Sequence, residues 1–151
     1  MLRVFEGVDE LRPLVGQRLG KSLWHVVDQE RIEKFAEATE DRQWIHLDVE
    51  RAARGPYGST IAHGFLTLCL LPVMVAEIYR VEGVRFVLNY GLNRVRFPAP
   101  VPVGSKLQAV VDLIAVDDVA DAVQVVILAS IERCGGTKPV CVAESIRRIY
   151  T

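Results

Sequence analysis

The chain has only three cysteines, Cys69, Cys134 and Cys141, and no C-x-x-C pair. An odd, scattered set argues against a disulfide framework or a cysteine zinc site and suits a reducing, cytoplasmic compartment. Net charge is nearly absent: 18 Lys and Arg against 19 Asp and Glu leave −1 at pH 7. That balance gives no electrostatic case for nucleic acid or an anionic membrane. There is no G-x-S-x-G, no P-loop and no G-x-G-x-x-G, so the usual nucleophile and phosphate-cradling signatures are missing. The stretch MLRVFEGVDE meets acidic residues before any long apolar run and does not read as a secretory signal. Internal repeats and low-complexity segments are also missing. Half of the 151 residues are hydrophobic and a quarter are charged, which predicts one domain, residues 1–151, with a real core.

What the chain does have is one long apolar stretch, Ile61 to Arg80, IAHGFLTLCLLPVMVAEIYR. It is a poor membrane span, because His63-Gly64 and Glu77 bound only about a dozen residues, Pro72 interrupts them, and roughly 20 are needed. It reads as a helix buried on all sides, which the rest of the chain wraps. Gly64 stands apart in it. A glycine at a helix start leaves its N–H free and lets another group approach the backbone closely.

Around this stretch the reading runs in order. Residues 7–15 make a short helix limited by Pro13. Arg18 to Val27 is a strand. Asp28 caps an amphipathic helix with Ile32, Phe35, Ala36 and Thr39 on one face, ending near Glu40. The segment EDRQWIHLD loses the helical period. Asp48 caps a turn through Ala52 and Ala53, and GPYGST is loop. After Arg80 come four antiparallel-type strands. The first contains Gly91 as a bulge or kink, the second runs from Ser105 to Val116, and DDVAD is the turn before Val123 to Arg133. The last is Val140 to Tyr150. Helices followed by runs of strand indicate α+β, with a curved antiparallel sheet against the apolar helix. Strands such as VQVVILASI are apolar on both faces, which predicts that a partner subunit covers the outer one.

Three histidines exist, His25, His46 and His63. His25 reads as structural, and His63 as packing or capping the apolar helix. His46 lies five residues past Asp41, beyond the expected helix end. A bend there lets the two side chains converge, and a carboxylate with an imidazole can hold and deprotonate a water. The same spacing suits Asp41 as a cap and His46 as packing, and spacing alone favours that plainer reading.

Three segments, in order, carry a family resemblance: FAEATEDRQWIHLDVERA, IAHGF and RFPAPVPVG. Together they resemble the MaoC-like dehydratases, the (R)-specific enoyl-CoA hydratases. Phe35, Thr39, Asp41, Ile45, His46 and Ala52 fall on the family's hydratase pattern. The resemblance implies a hot-dog fold, in which a curved antiparallel sheet wraps a long central helix, and a homodimer with the two sheets joined. It implies Asp41 and His46 as the catalytic pair, Gly64 as the backbone donor to a thioester carbonyl, and Gln43 in place of a supporting Asn. Glu40 stands where the family has Gly, and Trp44 where it has Pro.

The implied reaction is reversible syn hydration of trans-2-enoyl-CoA to (3R)-3-hydroxyacyl-CoA. No metal or redox cofactor is expected; coenzyme A arrives as part of the acyl-CoA substrate. Arg94, Arg96, Lys106, Arg147 and Arg148 are candidates for its phosphates, though basic residues on strands are usually just solvated. The rivals are a 3-hydroxyacyl-ACP dehydratase subunit, an acyl-CoA thioesterase and a non-enzymatic acyl-CoA-binding module.

Overall fold

The structure, a computed structural model, describes residues 2–151. It opens with strand β1 (Arg3–Phe5) and a 3-10 turn over Val8–Leu14 that contains Pro13. The single strand expected over Arg18 to Val27 is two, β2 (Arg18–Lys21) and β3 (His25–Val27). Between them Ser22 is buried, and its hydroxyl accepts from the Ala109 N–H at 2.9 Å. That side chain interrupts the strand without breaking contact with the sheet.

Helix α1 (Gln29–Thr39) starts as expected, with the Asp28 carboxylate accepting from the Arg31 N–H at 2.9 Å. It buries Ile32 and Ala36 and stops at Glu40, whose φ of 62° is left-handed. A left-handed residue cannot continue the helix, so the chain turns there. The irregular segment beyond holds one helical turn, α2 (Trp44–Leu47), followed by α3 (Val49–Ala53), capped by Asp48 as expected.

Pro72 decides the shape of the apolar stretch. The one helix expected over 61–80 is two short ones, α4 (Gly64–Cys69) and α5 (Leu71–Ile78), meeting at Leu70. A proline has no N–H for the carbonyl one turn back, and its ring crowds that carbonyl. Nor is the stretch buried on all sides. Leu66, Leu71, Met74, Val75 and Ile78 are buried, whereas Phe65, Cys69, Pro72, Val73 and Ala76 form an exposed stripe. Tyr79 and Arg80 belong to β4 (Tyr79–Val81), which pairs in parallel with β1.

The remaining strands are β5 (Phe86–Arg96), β6 (Ser105–Val119), β7 (Ala122–Arg133) and β8 (Cys141–Tyr150). They build a six-stranded antiparallel sheet in the order β2-β6-β7-β8-β5, with β3 also on β6. Gly91 sits at a register shift against β8, the bulge read from the sequence. DDVAD is mostly strand rather than turn: Asp117, Asp118 and Val119 pair with Gln124, Val123 and Ala122.

Leu107, Ala109, Val111 and Leu113 of β6, and Val125, Ile127, Ala129 and Ile131 of β7, point to one side and are fully buried with Met74, Val75 and Ile78. Each Val, Leu, Ile or Met side chain among them contributes about 1.5–3 kcal/mol by leaving water. A sheet that curves around α4 and α5 in this way is the hot-dog arrangement. The outer sheet face is less bare than expected, since Val110 and Val126 are buried there and Arg18 pairs with Asp112 at 2.9 Å. The open apolar surface lies elsewhere. It comprises the helical stripe and the edge strand β5, where Phe86, Val87, Leu88, Tyr90 and Leu92 are exposed.

Candidate active site

His46 occupies the single turn of α2, and neighbouring segments fix it from three sides. The Gln29 amide donates to its backbone carbonyl at 2.9 Å, and the Thr60 hydroxyl donates to Gln29 at 2.6 Å. The Ile61 N–H donates to the Ile45 carbonyl at 3.1 Å. The Ile61 carbonyl in turn stands 2.6 Å from His46 Nδ1. A carbonyl only accepts, so Nδ1 carries a proton and Nε2 keeps a free lone pair in the neutral ring. Burial pushes the His46 pKa below its ordinary value; the bond to Ile61 and the charge of Asp41 oppose this, and His63 adds to it. The imidazole is 6% exposed and is set up as a neutral base.

Asp41 lies in the exposed bend after Glu40. Its backbone carbonyl accepts from His63 Nε2 at 2.9 Å. His63 is 3% exposed, and its ring stacks on that of His46 with centroids 3.7 Å apart and planes 24° from parallel. One ligand atom from each of Asp41, His46 and His63 lies within 4.8 Å of the others. The bend therefore does bring the expected carboxylate and imidazole together, and it adds a second imidazole.

Among the described residues this trio has the spacing for a cation. The stacking of the rings opposes that use. An ion on the in-plane lone pair of one imidazole would lie far out of the plane of the other, and imidazole nitrogen binds metals in its ring plane. The arrangement suits proton transfer through His46 Nε2 and the Asp41 carboxylate.

Gly64 follows His63 directly and is the first residue of α4, so its N–H has no acceptor within the helix. A Cβ added there would come within 3.0 Å of the Phe97 ring, so glycine fits and alanine does not without movement. A cavity of about 300 Å³ opens at this point, lined by Gly64, Thr67, Ala62, Tyr57 and Phe97. A second, largely apolar groove of about 210 Å³ runs between α4–α5 and strands β5 and β8.

Gln43 is exposed, and its side chain makes no hydrogen bond to Asp41 or His46; its carbonyl accepts from the His46 N–H at 3.0 Å. The amide that supports His46 is Gln29 instead. Trp44 packs over Gly55, with the Arg51 guanidinium 4.2 Å from its ring centre. Arg94, Arg96, Lys106, Arg147 and Arg148 form no ion pair or hydrogen bond with Asp41, His46 or His63. Arg148 stacks on Tyr90 at 3.5 Å, and Arg147 reaches the Tyr79 hydroxyl at 3.4 Å. Sequence reasoning missed Gln29, Thr60 and the part played by His63. The one available signal was that His63 immediately precedes Gly64.

Comparison with known proteins agrees with this architecture. The MaoC like domain matches residues 10–132. The 3-hydroxyacyl-thioester dehydratase Z of Mycobacterium tuberculosis is 51% identical over 148 residues, covering 97% of this chain and 98% of that protein. The 3-hydroxybutyryl-CoA dehydratase of Methylorubrum extorquens is 34% identical over 108 residues, covering 69% and 66% of the two chains. The (R)-hydratase from A. caviae superposes with a TM-score of 0.73 at 24% identity, covering 88% of this chain and 94% of that one, and shares the fold. On the family match and these relatives, the chain is a hot-dog hydro-lyase that belongs to the MaoC-like dehydratase family.

Proposed function

We propose that the protein catalyses reversible hydration of trans-2-enoyl-CoA to (3R)-3-hydroxyacyl-CoA. The observation that carries this reading is the meeting of Asp41, His46 and His63, the residue that precedes α4, with ligand atoms within 4.8 Å of one another. A water held between Asp41 and His46 gives one proton to His46 Nε2 as its oxygen bonds to C3. The other O–H stays hydrogen-bonded to the Asp41 carboxylate. His46 returns its proton to C2 on the same face, so the addition is syn and neither residue is changed. As electrons move from the double bond, charge builds on the thioester oxygen. In this reading the free N–H of Gly64 receives it, and losing one such donor costs about 10²–10³ in turnover in other enzymes. No metal or redox group takes part in these steps, and coenzyme A enters with the substrate.

The functional unit in this reading is a homodimer. The exposed apolar stripe on α4–α5 and the apolar edge strand β5 lie where a second copy would extend the sheet. Among the described residues no helix is long and apolar enough to cross a membrane.

Asp41→Asn and His46→Gln test the chemistry by loss of enoyl-thioester absorbance. Both variants are expected to fold and to lose turnover by at least about a hundredfold. Wild-type turnover in both would refute the assignment. Matched CoA and carrier-protein thioesters decide the carrier, with faster turnover on CoA expected.

A further inference from the structure

We propose that His63 is a positioning residue, tying the Asp41 bend, the His46 ring and the Gly64 amide into one unit that sets turnover. The inference rests on the hydratase reading above. His63 is 3% exposed, and a polar ring buried that deeply needs its nitrogens paired. Only one is. Nε2 stands 2.9 Å from the Asp41 carbonyl, and Nδ1 has no partner. Because the carbonyl only accepts, the proton sits on Nε2 and Nδ1 is a bare, buried acceptor. A phenylalanine would fill the same space without that cost, and the adjacent Phe35, 5.0 Å away, shows that an aromatic ring packs here. Filling space therefore does not account for histidine. What histidine adds is the N–H to Asp41.

That bond holds a segment with little else to hold it. Glu40 turns the chain through a left-handed conformation, and Asp41, Arg42 and Gln43 are all exposed. Among the described residues, the His63 bond is the one hydrogen bond from Asp41 to another element. The His63 ring also covers one face of His46 at 3.7 Å while the Ile61 carbonyl fixes its edge, so rotation of the base is restricted twice. The peptide bond after His63 presents the Gly64 N–H, and the His63 carbonyl accepts from the Thr67 N–H at 3.2 Å in the first turn of α4. One residue thus spans the three groups that must be aligned, two through its ring and the third through its backbone.

His63→Phe keeps the ring and removes the N–H; His63→Gln keeps an amide donor and removes the ring. In the hydration assay both are expected to fold, with kcat down at least about tenfold and KM within about threefold, as loss of alignment requires. Asp41 and His63 are the ionisable groups acting on His46, the first raising its pKa and the second lowering it. Replacing His63 removes the one influence and, by freeing the bend, weakens the other, so the acid limb of the pH–rate profile should move in both variants. A residue that only fills space would change the melting temperature and leave that limb in place. Turnover within about twofold of wild type with an unmoved limb overturns the proposal. ¹⁵N NMR of the wild-type histidine rings tests it without any variant. A proton on His63 Nε2 with Nδ1 bare supports the tie, and the opposite tautomer overturns it. If the wild type hydrates no enoyl thioester, the functional reading falls, and the tautomer still decides the tie.

Discussion

Gln29 holds His46 by the backbone rather than by the ring: its amide donates to the His46 carbonyl at 2.9 Å and accepts from Thr60 at 2.6 Å. The first turn of α1, the turn that carries His46 and the loop before α4 are thereby linked through one side chain. Gln29→Ala leaves a buried Thr60 hydroxyl without its acceptor and the His46 carbonyl without its donor. Each orphaned group costs about 1–3 kcal/mol. Urea unfolding should show a loss of about 2–4 kcal/mol in Gln29→Ala, together with reduced kcat because the His46 turn is released. Gln29→Glu keeps the acceptor for Thr60, loses the donor to His46 and should fall between the two.

The acid side of the pH profile follows from burial of His46. Its folded pKa is below the ordinary 6.5, so the ring stays neutral and able to accept a proton at pH values where a free histidine is already charged. Activity should persist below about pH 6.5 and fall only as pH drops through the lowered value. Stability runs the same way. Below the unfolded pKa the unfolded chain binds the proton that the folded chain refuses, so stability falls as pH drops toward the folded value. Urea melts at about pH 7 and pH 5 should show this loss in wild type and less of it in His46→Gln.

Local chemistry made much of the fold readable in advance. Asp28 and the period of Ile32, Phe35 and Ala36 gave α1, and apolar runs bounded by turn segments gave β6, β7 and β8. Contacts distant in sequence were not readable. His46 and His63 are 17 positions apart, and no periodicity says that their rings stack. The parallel pairing of Arg3–Phe5 with Tyr79–Val81 is of the same kind. Pro72 was visible, but whether it ends, bends or splits a helix depends on what packs around it. The proposed catalytic pair was legible only through family resemblance, since Asp41 and His46 have an unremarkable spacing on their own.

Glu40 is a left-handed residue where the family resemblance expects glycine, and its φ of 62° gives the reason. A side chain in that region costs about 1–2 kcal/mol, partly offset by the extra freedom glycine brings to the unfolded chain. Glu40→Gly should therefore stabilise by about 0.5–1 kcal/mol, a rise of roughly 2–4 °C in Tm at most. Activity should be unchanged, because the backbone path to Asp41 is the same. A fall in Tm would mean that the Glu40 side chain has a favourable contact outweighing its backbone strain.

Gly64→Ala puts a methyl group about 3.0 Å from the Phe97 ring. The crowding should cost about 1–3 kcal/mol of stability and move the start of α4, lowering kcat with it. Phe97 is partly exposed, so its ring can be shortened with little cost. Phe97→Ala in the Gly64→Ala background should restore most of the stability. If turnover returns with it, the harm was steric displacement of the Gly64 N–H. If stability returns and turnover does not, the added methyl blocks the approach of the thioester itself.

Cys69 reports on the assembly. It lies on the exposed stripe with Phe65, Pro72, Val73 and Ala76, whereas Cys134 is exposed at the β7–β8 turn and Cys141 is fully buried. Burial raises the Cys141 thiol to about 11, so it holds almost no thiolate at neutral pH and is shielded as well. In a homodimer that covers the stripe, a thiol-reactive dye should titrate Cys134 quickly, Cys69 slowly and Cys141 only after denaturation. The Cys69 rate should rise on dilution, because dissociation uncovers it and mass action favours the monomer. Cys69→Ser isolates the effect: the concentration-dependent phase should vanish while the fast phase remains. Rapid labelling of Cys69 at every concentration, with a monomer mass by light scattering, would refute the dimer and leave the apolar stripe facing water.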